Sequence, residues 1–486
     1  MSRAPRSLWL LWFAVPFFAF VSTVQGRIAF WDTGEMQTVP WIFGIPHPTG
    51  FPAYVLFAGA FAHVFAIGTP AWRASFFCAL LMLGCVGLVY ASVVNVTRDR
   101  FSAVCTAWLL AFGWYFWIYG DRAEIHAMAA LFAALVFYFA LRGFYDEDVR
   151  AFYAAFAALG FGWATHPIVL FVLPSLLLLA GARRRLFNVR RCGAALLLML
   201  APLALYAYLP LRSHTVAASG LDPAVKIGKP LGAAIWNTDN PQSASGFLRL
   251  VTGSDFHAAR SVLRIADLPS YAAKAGKFGI AMYREFTPVG AAAGCICFGI
   301  LFRRRAVVAS ALLLAILLPA AFALAYPPVV EIERYFFIPM IALSLAIGLG
   351  ITALPHEYRH LLRIPIAAAA LVLLVVNYSD ARLYAGSGAE ELIADVRVHT
   401  PHDAIVIADW TRGTALAYAQ YVNGDLPGRS LDIAWPFQEA RYLRRWLRER
   451  PVYYVGRPVL HSQRLLLCRV SKEYPVYSVQ LEPGQC

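Results

Sequence analysis

Two carboxylates near the beginning of the chain have the spacing and the setting for chemistry. Asp32 and Glu35 lie three residues apart within residues 30–52, FWDTGEMQTVPWIFGIPHPTGFP, directly after the first apolar run. In a helix this spacing places both side chains on one face. Charged groups beside a membrane are costly, so carboxylates at such a position are candidates for a functional role. The alternative is a polar loop in which Asp32 caps a helix.

Further ionisable side chains lie in short polar segments next to the apolar runs. A Pro/Gly-rich turn carries His47, and the segments YGDRAEIH, THP, YLPLRS and EIERYFF carry the others. These others are Arg122, Glu124, His126, His166, Arg212, Glu331, Glu333, Arg334 and Tyr335. Singly, each could be a surface ion pair, a helix cap or part of a solvated turn. Jointly, they indicate a functional site.

The composition indicates an integral membrane protein with many spans. Hydrophobic residues make up 60% of the 486 positions and charged residues only 14%. The net charge of +14 does not indicate a nucleic-acid partner, because the arginines cluster in short loops between apolar runs, as topology signals do. The first run, residues 8–24, has no small-residue cleavage site, so we expect it to be retained as a span.

The apolar runs predict eleven spans, with the N-terminus inside and the C-terminus outside. These runs are about 8–25, 75–94, 101–118, 126–141, 152–164, 168–182, 193–209, 289–302, 306–325, 336–353 and 364–376. Residues 50–67 begin with Gly and Pro and contain His63, so we expect them to lie in the outer interface. The inside segments then carry sixteen Lys and Arg residues and the short outside loops four, as the positive-inside rule requires. All the candidate side chains then face outside.

The last part of the chain has the composition of a soluble domain. From about residue 380 strand and helix patterns alternate, from DAIVIADW to PVYSVQL, which predicts a small α/β domain. It has no Gly-rich nucleotide fingerprint. We therefore divide the chain into 1–379 and 380–486. Six cysteines lie in apolar runs without a CxxC or metal-binding pattern, and Cys468 and Cys486 could pair, although we expect two free thiols.

These side chains suit a reaction on a lipid-linked phosphate at a membrane boundary. Arginine binds phosphate oxygens in pairs, and a carboxylate can deprotonate an acceptor hydroxyl as a general base. An apolar groove would hold the lipid tail. The sequence predicts no metal site, and it leaves a requirement for a divalent cation open.

The motifs resemble a GT-C-type family of membrane glycosyltransferases that includes a vertebrate endoplasmic-reticulum protein O-mannosyltransferase and bacterial members. The resemblance rests on WDTGE followed by GIPHPTGFPAYVL, then YGDRAEIH, YLPLRS, the WN-x-x-NP turn before FLRLVTG, and EIERYFFIP. The five motifs occur in order and cover roughly 1–380. The chain departs from the family pattern at AIWNTDNP, where a shorter WG-x-P turn is expected.

The resemblance implies an all-α polytopic membrane fold with interfacial helices, and an inverting transfer from a polyprenyl-phosphate sugar, with mannose as a candidate. It implies Asp32 as the catalytic carboxylate with Glu35 as its neighbour. The arginines, histidines and neighbouring polar residues would bind the donor, and Trp236, Asn237 and Asn240 would lie on the acceptor side. The acceptor would be a protein or a cell-envelope glycan, and the expected location is a bacterial inner membrane. A transporter or flippase of lipid-linked sugars is the alternative.

Overall fold

The described part of the chain is mostly helical, with one small sheet near its end. The computed structural model describes residues 11–233, 235–254, 268–325, 331–434, 440–457 and 466–480. The helices are, in chain order, α1 Leu11–Thr23, α2 Trp31–Thr38, α3 Pro52–Val64, α4 Pro70–Thr97, α5 Arg100–Ala111, α6 Trp114–Gly120, α7 Ile125–Tyr145, α8 Val149–Thr165, α9 Leu173–Ala182, α10 Val189–Leu200, α11 Tyr208–Ala218, α12 Ala244–Thr252, α13 Leu268–Arg304, α14 Ala306–Ala325, α15 Phe337–Ala353, α16 His360–Gly386, α17 Glu390–His399, α18 Trp410–Tyr418 and α19 Ala440–Glu449.

Seven helical stretches among the described residues are long and apolar enough to cross a membrane. They are Pro70–Thr97, Ile125–Tyr145, Val189–Ala218, Pro269–Arg304, Ala306–Ala325, Ile332–Ala353 and His356–His399. The pair α5 and α6, bent by 66°, raises the number to eight if it is one span. The eleven predicted spans also include apolar runs that form helices shorter than these seven stretches, such as α1, α8 and α9. A run of apolar residues does not reveal where a helix breaks.

The sheet has five strands in the order β2-β1-β3-β5-β4. The strands are β1 Ile405–Ala408, β2 Ser430–Ile433, β3 Val452–Val455, β4 Leu466–Arg469 and β5 Val476–Gln480. β1 is parallel to both β2 and β3, and β5 is antiparallel to β3 and β4. This confirms the predicted small α/β fold. Cys468 in β4 forms a disulfide, so the expectation of a free thiol there is wrong, and Cys486 lies outside the described residues.

The chain divides into two compact units. The first unit comprises residues 1–24, 78–205 and 255–385, and the second comprises 25–77, 206–254 and 386–486. The second unit therefore combines the first polar loop, the segment after α10 and the C-terminal sheet.

Small residues allow close helix packing in the first unit. A Cβ on Gly160 of α8 would lie 2.1 Å from the carbonyl oxygen of Met199 in α10, and one on Gly350 of α15 would lie 2.4 Å from Cys297 in α13. Helices that contact at such small residues bring their backbones together, which is the usual packing mode inside membranes. Ser175 of α9 also donates to the carbonyl of Ala311 in α14 at 2.6 Å.

The second unit has a core on each face of the sheet. Alternate residues of β1 point to opposite faces. Val406 and Ala408 pack in a cluster with residues of the first polar loop, including Ile28, Val39 and Val55. The other face carries a second cluster, whose buried members include Ile405, Ile407, Leu443, Trp446 and Ile227. The first polar loop is thus built against the C-terminal sheet.

Candidate active site

The two N-terminal carboxylates lie on the short helix α2 but in different environments. Asp32 is half-buried, whereas Glu35 is completely buried. The N-cap of α2 is Phe30, and no side chain caps the helix, so the alternative in which Asp32 is the N-cap is wrong. Asp32 instead lies in the first turn, where the helix dipole favours a negative charge.

Glu35 binds His47 from the Pro/Gly-rich turn. The backbone amide of His47 donates to Oε1 of Glu35 at 2.9 Å, and ring atom Nδ1 contacts Oε2. A buried carboxylate requires such partners, because burying an uncompensated charge is very costly. The pair fixes both the turn and the orientation of the imidazole ring, which is about one-fifth exposed.

Trp410, the first residue of the helix α18 that follows β1, contacts both Asp32 and His47. Its Nε1 donates to Oδ1 of Asp32 at 2.8 Å. Its ring also meets the ring of His47 edge-on, with the centroids 5.7 Å apart. We call Asp32, Glu35, His47 and Trp410 the acidic cluster. Trp410 was not among the residues predicted from the sequence, although a polar turn at the carboxyl end of a parallel strand is a recognisable position for functional residues.

Gly34 of the WDTGE motif is required by packing. A Cβ at this position would lie 2.4 Å from the carbonyl oxygen of Ala29 and 2.9 Å from Oγ1 of Thr414 in α18. Any larger residue would therefore push α18 away from α2. The glycine allows the approach that places Trp410 against Asp32.

The turn assigned to the acceptor side is held by internal contacts. Ile45 and Asn237 form a parallel bridge. Asn237 is fully buried, and its amide donates to Asp222 at 2.5 Å. Trp236 is also buried, and Asn240 accepts a hydrogen bond from Ser213 at 3.2 Å. In this conformation these side chains support the His47 turn, and their acceptor role stays a prediction.

Arg212, a reserve candidate for the donor phosphate, lies in the second unit and binds backbone carbonyls. Its Nε donates to Phe43 at 2.7 Å, and Nη2 donates to Ile42 at 3.0 Å. The hydroxyl of Tyr208 donates to the same Phe43 carbonyl at 2.5 Å. These bonds satisfy carbonyls in the stretch between α2 and the His47 turn.

A second group of candidates meets in the first unit. Arg122 forms a two-pronged ion pair with Glu331, at 3.1 Å from Nη1 and 2.7 Å from Nη2. The guanidinium also lies over the ring of Tyr119, 3.9 Å from its centroid. Glu331 was among the candidate side chains of the sequence, but no partner was predicted for it. In the structure Glu331 pairs with both terminal nitrogens of Arg122.

Glu124 is the centre of this group. It is buried, and Oε2 lies 3.3 Å from Nη1 of Arg334 and 4.0 Å from Nη2 of Arg122. Its Oε1 lies 2.7 Å from Nδ1 of His126. Burial alone would raise the pKa of Glu124, but the positive charges of Arg334, His126 and Arg122 outweigh it and hold the pKa well below its usual range. We call Arg122, Glu124, His126, Glu331 and Arg334 the arginine cluster.

Two further candidates surround His126. Its ring centroid lies 4.6 Å from that of His166 and 5.0 Å from that of Tyr335. His166 also caps a short 3-10 helix, since its Nδ1 accepts from the backbone amide of Ile168 at 3.1 Å. The helix-cap alternative for His166 is therefore confirmed, and it coexists with the ring contacts.

Asp121, in the same segment, is a buried acid. Its Oδ2 accepts from Nε1 of Trp117 at 3.0 Å and contacts the hydroxyl of Thr23. Burial raises the pKa of Asp121 well above its usual value, and these two hydrogen bonds oppose the shift only in part. Burial thus favours the neutral form of the Asp121 carboxyl.

The two clusters have different chemical capacities. The acidic cluster offers a half-buried carboxylate fixed by an N–H donor, which is suited to accepting a proton. The arginine cluster offers two guanidinium groups that are neutralised by carboxylates, so an entering phosphate would compete with Glu331 for Arg122. Among the described residues no group of three His, Cys, Asp or Glu side chains could hold a metal ion.

The apolar helices and the small C-terminal sheet define an integral membrane protein with a GT-C fold. The structure resembles that of ArnT from Cupriavidus metallidurans in the apo state, with a TM-score of 0.57 and 13% identity over 97% of both chains. At this identity the likeness concerns the fold alone.

The expected resemblance to the O-mannosyltransferase family is confirmed by sequence comparison. Residues 32–186 match the family model of the Protein O-mannosyl-transferase TMEM260 N-terminal domain. The chain is 26% identical to Protein O-mannosyl-transferase TMEM260 of Mus musculus over 207 residues, 40% of this chain and 29% of the mouse protein. It is 27% identical to the Dictyostelium discoideum protein of that name over 180 residues, 33% of this chain and 22% of that protein. The chain thus aligns with less than a third of either relative.

Proposed function

We propose that this protein is an inverting membrane glycosyltransferase. It transfers a sugar, with mannose as the first candidate, from a polyprenyl phosphate to a hydroxyl of a protein or a cell-envelope glycan. The observation that carries the proposal is the acidic cluster, in which the half-buried Asp32 lies beside the buried Glu35 and its partner His47. Asp32 is also the first residue of the matched family region, and the names of the mouse and Dictyostelium relatives favour mannose.

In this proposal Asp32 is the general base. It deprotonates the acceptor hydroxyl, whose oxygen attacks the anomeric carbon as the lipid phosphate leaves with the bonding electron pair. Glu35 cannot take this role, because it is completely buried and its oxygens bind His47. Glu35 instead keeps the His47 turn in place next to α2.

The arginine cluster binds the donor phosphate in this proposal. Arg122 holds a carboxylate in a two-pronged geometry, and the same geometry suits two phosphate oxygens. Arg334 is held by Glu124 and adds a second positive charge. The phosphate would replace Glu331, which is partly exposed, whereas Glu124 is buried and would stay in place.

We also propose that the reaction occurs at the outer membrane face, with the N-terminus in the cytoplasm. This orientation is supported by the distribution of Lys and Arg, of which the inside segments carry sixteen and the short outside loops four. Helix α3 supports the interfacial assignment of residues 50–67, since it is only 13 residues long. Phe57, Val64 and Ile67 in and after α3 are exposed, as expected for a helix that lies on lipid.

The proposal is tested with purified protein in detergent. Polyprenyl-phosphate mannose with a radioactive sugar is supplied together with peptide or glycan acceptors, and transfer is measured with and without a chelator. Wild-type protein should transfer the sugar and Asp32→Asn should not. Polyprenyl-phosphate glucose is the matched donor control. Failure of wild-type protein to release polyprenyl phosphate from any of these donors would overturn the proposal.

One observation favours the alternative of a transporter or flippase. Helices α5 and α6 are bent by 66° at their junction, and the buried carboxylate of Glu285 in α13 accepts from the amides of Tyr115 and Phe116 in α6 at 3.1 and 3.2 Å. Broken helices with a charged partner are typical of transport sites. A flippase would move a labelled polyprenyl-phosphate sugar across proteoliposomes without cleaving it, and Glu285→Gln would stop that movement.

A further inference from the structure

The small sheet reverses its strand order next to the acidic cluster. Strands β2, β1 and β3 are adjacent and parallel. The chain passes from β1 to β2 on one side and then to β3 on the other, so the order reverses at β1. In open α/β sheets the crevice outside the carboxyl ends of the strands at such a reversal is the usual place for functional contacts.

Here the carboxyl end of β1 leads directly to Trp410. The connecting residue Asp409 is the N-cap of α18, and its Oδ1 accepts from the amide of Arg412 at 3.0 Å. Its Oδ2 also pairs with Nη1 of Arg412 at 2.6 Å, while its own amide donates to Val455 at the end of β3 at 3.2 Å. These bonds fix the backbone from which Trp410 extends.

The Trp410 side chain then contacts the acidic cluster at two points. The indole N–H binds Oδ1 of Asp32 at 2.8 Å, and the ring meets His47 edge-on. The close approach of α18 to α2 depends on Gly34. The α/β domain therefore uses its strand-order reversal to hold a carboxylate of the same chain.

We propose that Trp410 is a positioning residue for Asp32, and that the C-terminal α/β domain thereby completes the acidic cluster. The inference rests on the proposed function, in which Asp32 is the base. A hydrogen bond to one carboxylate oxygen fixes the plane of the group. Such fixing matters for the rate, because a displacement of about 1 Å can lower it by roughly a hundredfold.

The first test removes the N–H donor and keeps an aromatic ring. Trp410→Phe should lower kcat by roughly tenfold and leave the KM for the polyprenyl-phosphate sugar within about twofold, because the donor is bound elsewhere. Trp446→Phe is the matched control, since it removes an indole bond to the carbonyl of Ile227, 2.7 Å long, in the same domain. An equal loss of kcat per folded protein in both variants would overturn the inference.

The second test separates positioning from general damage. In the Asp32→Asn background the base is absent, so adding Trp410→Phe should change the residual rate by less than about twofold. A purely structural effect would lower the rate by the same factor in both backgrounds. A second tenfold loss in the Asp32→Asn background would therefore overturn the inference.

The third test needs no substrate. Melting temperatures are measured in detergent for wild-type protein, Trp410→Phe, Asp32→Ala and the double variant. Trp410→Phe should lower the melting temperature more in the presence of Asp32 than in the Asp32→Ala background. Additive shifts would overturn the inference. If the shifts are coupled but the wild-type protein transfers no sugar, the proposed function is overturned. The Trp410–Asp32 contact is then still supported.

Discussion

Glu35 binds both the backbone amide and the ring of His47, which lies twelve residues later in the chain. The carboxylate is completely buried, and the imidazole is partly exposed. This arrangement gives the two carboxylates of WDTGE separate tasks. Glu35 organises the turn from inside the fold, and Asp32 keeps access to the outside.

Asp32→Asn keeps the shape of the side chain and removes its basicity. If Asp32 is the general base, turnover of the polyprenyl-phosphate sugar should fall by about a hundredfold or more. The assay is initial-rate transfer by purified, folded protein. Asp403→Asn is the control, since Asp403 is exposed in the same unit. Near-normal turnover of Asp32→Asn would exclude the proposed role.

Glu35→Gln should lower the free energy of unfolding by about 1–3 kcal/mol, because one of the two oxygens that bind His47 becomes an amide nitrogen and the negative charge is lost. Thermal unfolding in detergent measures the change. Glu391→Gln is the control, since its ion pair with Arg27 is exposed to solvent and should stabilise the fold much less. Equal, small shifts in both variants would show that the Glu35–His47 pair does not stabilise the turn.

Arg122→Lys and Arg334→Lys keep the charge and lose the planar fork of the guanidinium. Each should raise the KM for the donor by roughly tenfold with a smaller change in kcat, because phosphate oxygens are bound in pairs. Arg142→Lys is the matched control, since Arg142 lies on α7 and is about half exposed. An unchanged donor KM in both variants would contradict the assignment of the phosphate site.

Asp121→Asn should change how stability depends on pH. Burial raises the pKa of Asp121 in the folded protein, so its carboxyl stabilises the fold fully below its unfolded pKa, about 3.8. That contribution is lost as the pH rises through the folded pKa. The amide never ionises. Between pH 4 and pH 9 the melting temperature of wild-type protein should therefore fall relative to that of Asp121→Asn. A difference that does not change with pH would refute the prediction.

The proposed topology predicts which positions an impermeant thiol reagent reaches from outside. Cysteines introduced at Thr69 and Asn423 should be labelled, whereas those at Arg98, Arg185 and Arg304 should not. All five positions are exposed in the structure. The experiment uses a Cys192→Ser, Cys295→Ser background, because these two native thiols are exposed. Labelling at Arg98 or Arg185 from outside would reverse the proposed orientation.

The sequence alone determined the class of fold and most members of both clusters. Apolar runs revealed the membrane helices because every such helix must satisfy its backbone internally and face lipid or protein with apolar side chains. The alternation of strands and helices revealed the C-terminal domain because parallel strands need helical crossovers. Charged residues beside apolar runs were detectable because a charge at that depth is rarely retained without a function.

Tertiary structure alone decided which of these residues are partners and what each can do. Asp32 and Glu35 are both carboxylates and lie three residues apart on one helix, yet packing buries Glu35 and leaves Asp32 half-exposed. The bond from Trp410 to Asp32 joins residues 378 positions apart, and no local pattern encodes such a contact. It depends on the reversal of strand order at β1 and on the space that Gly34 leaves for α18, and both are properties of the folded chain.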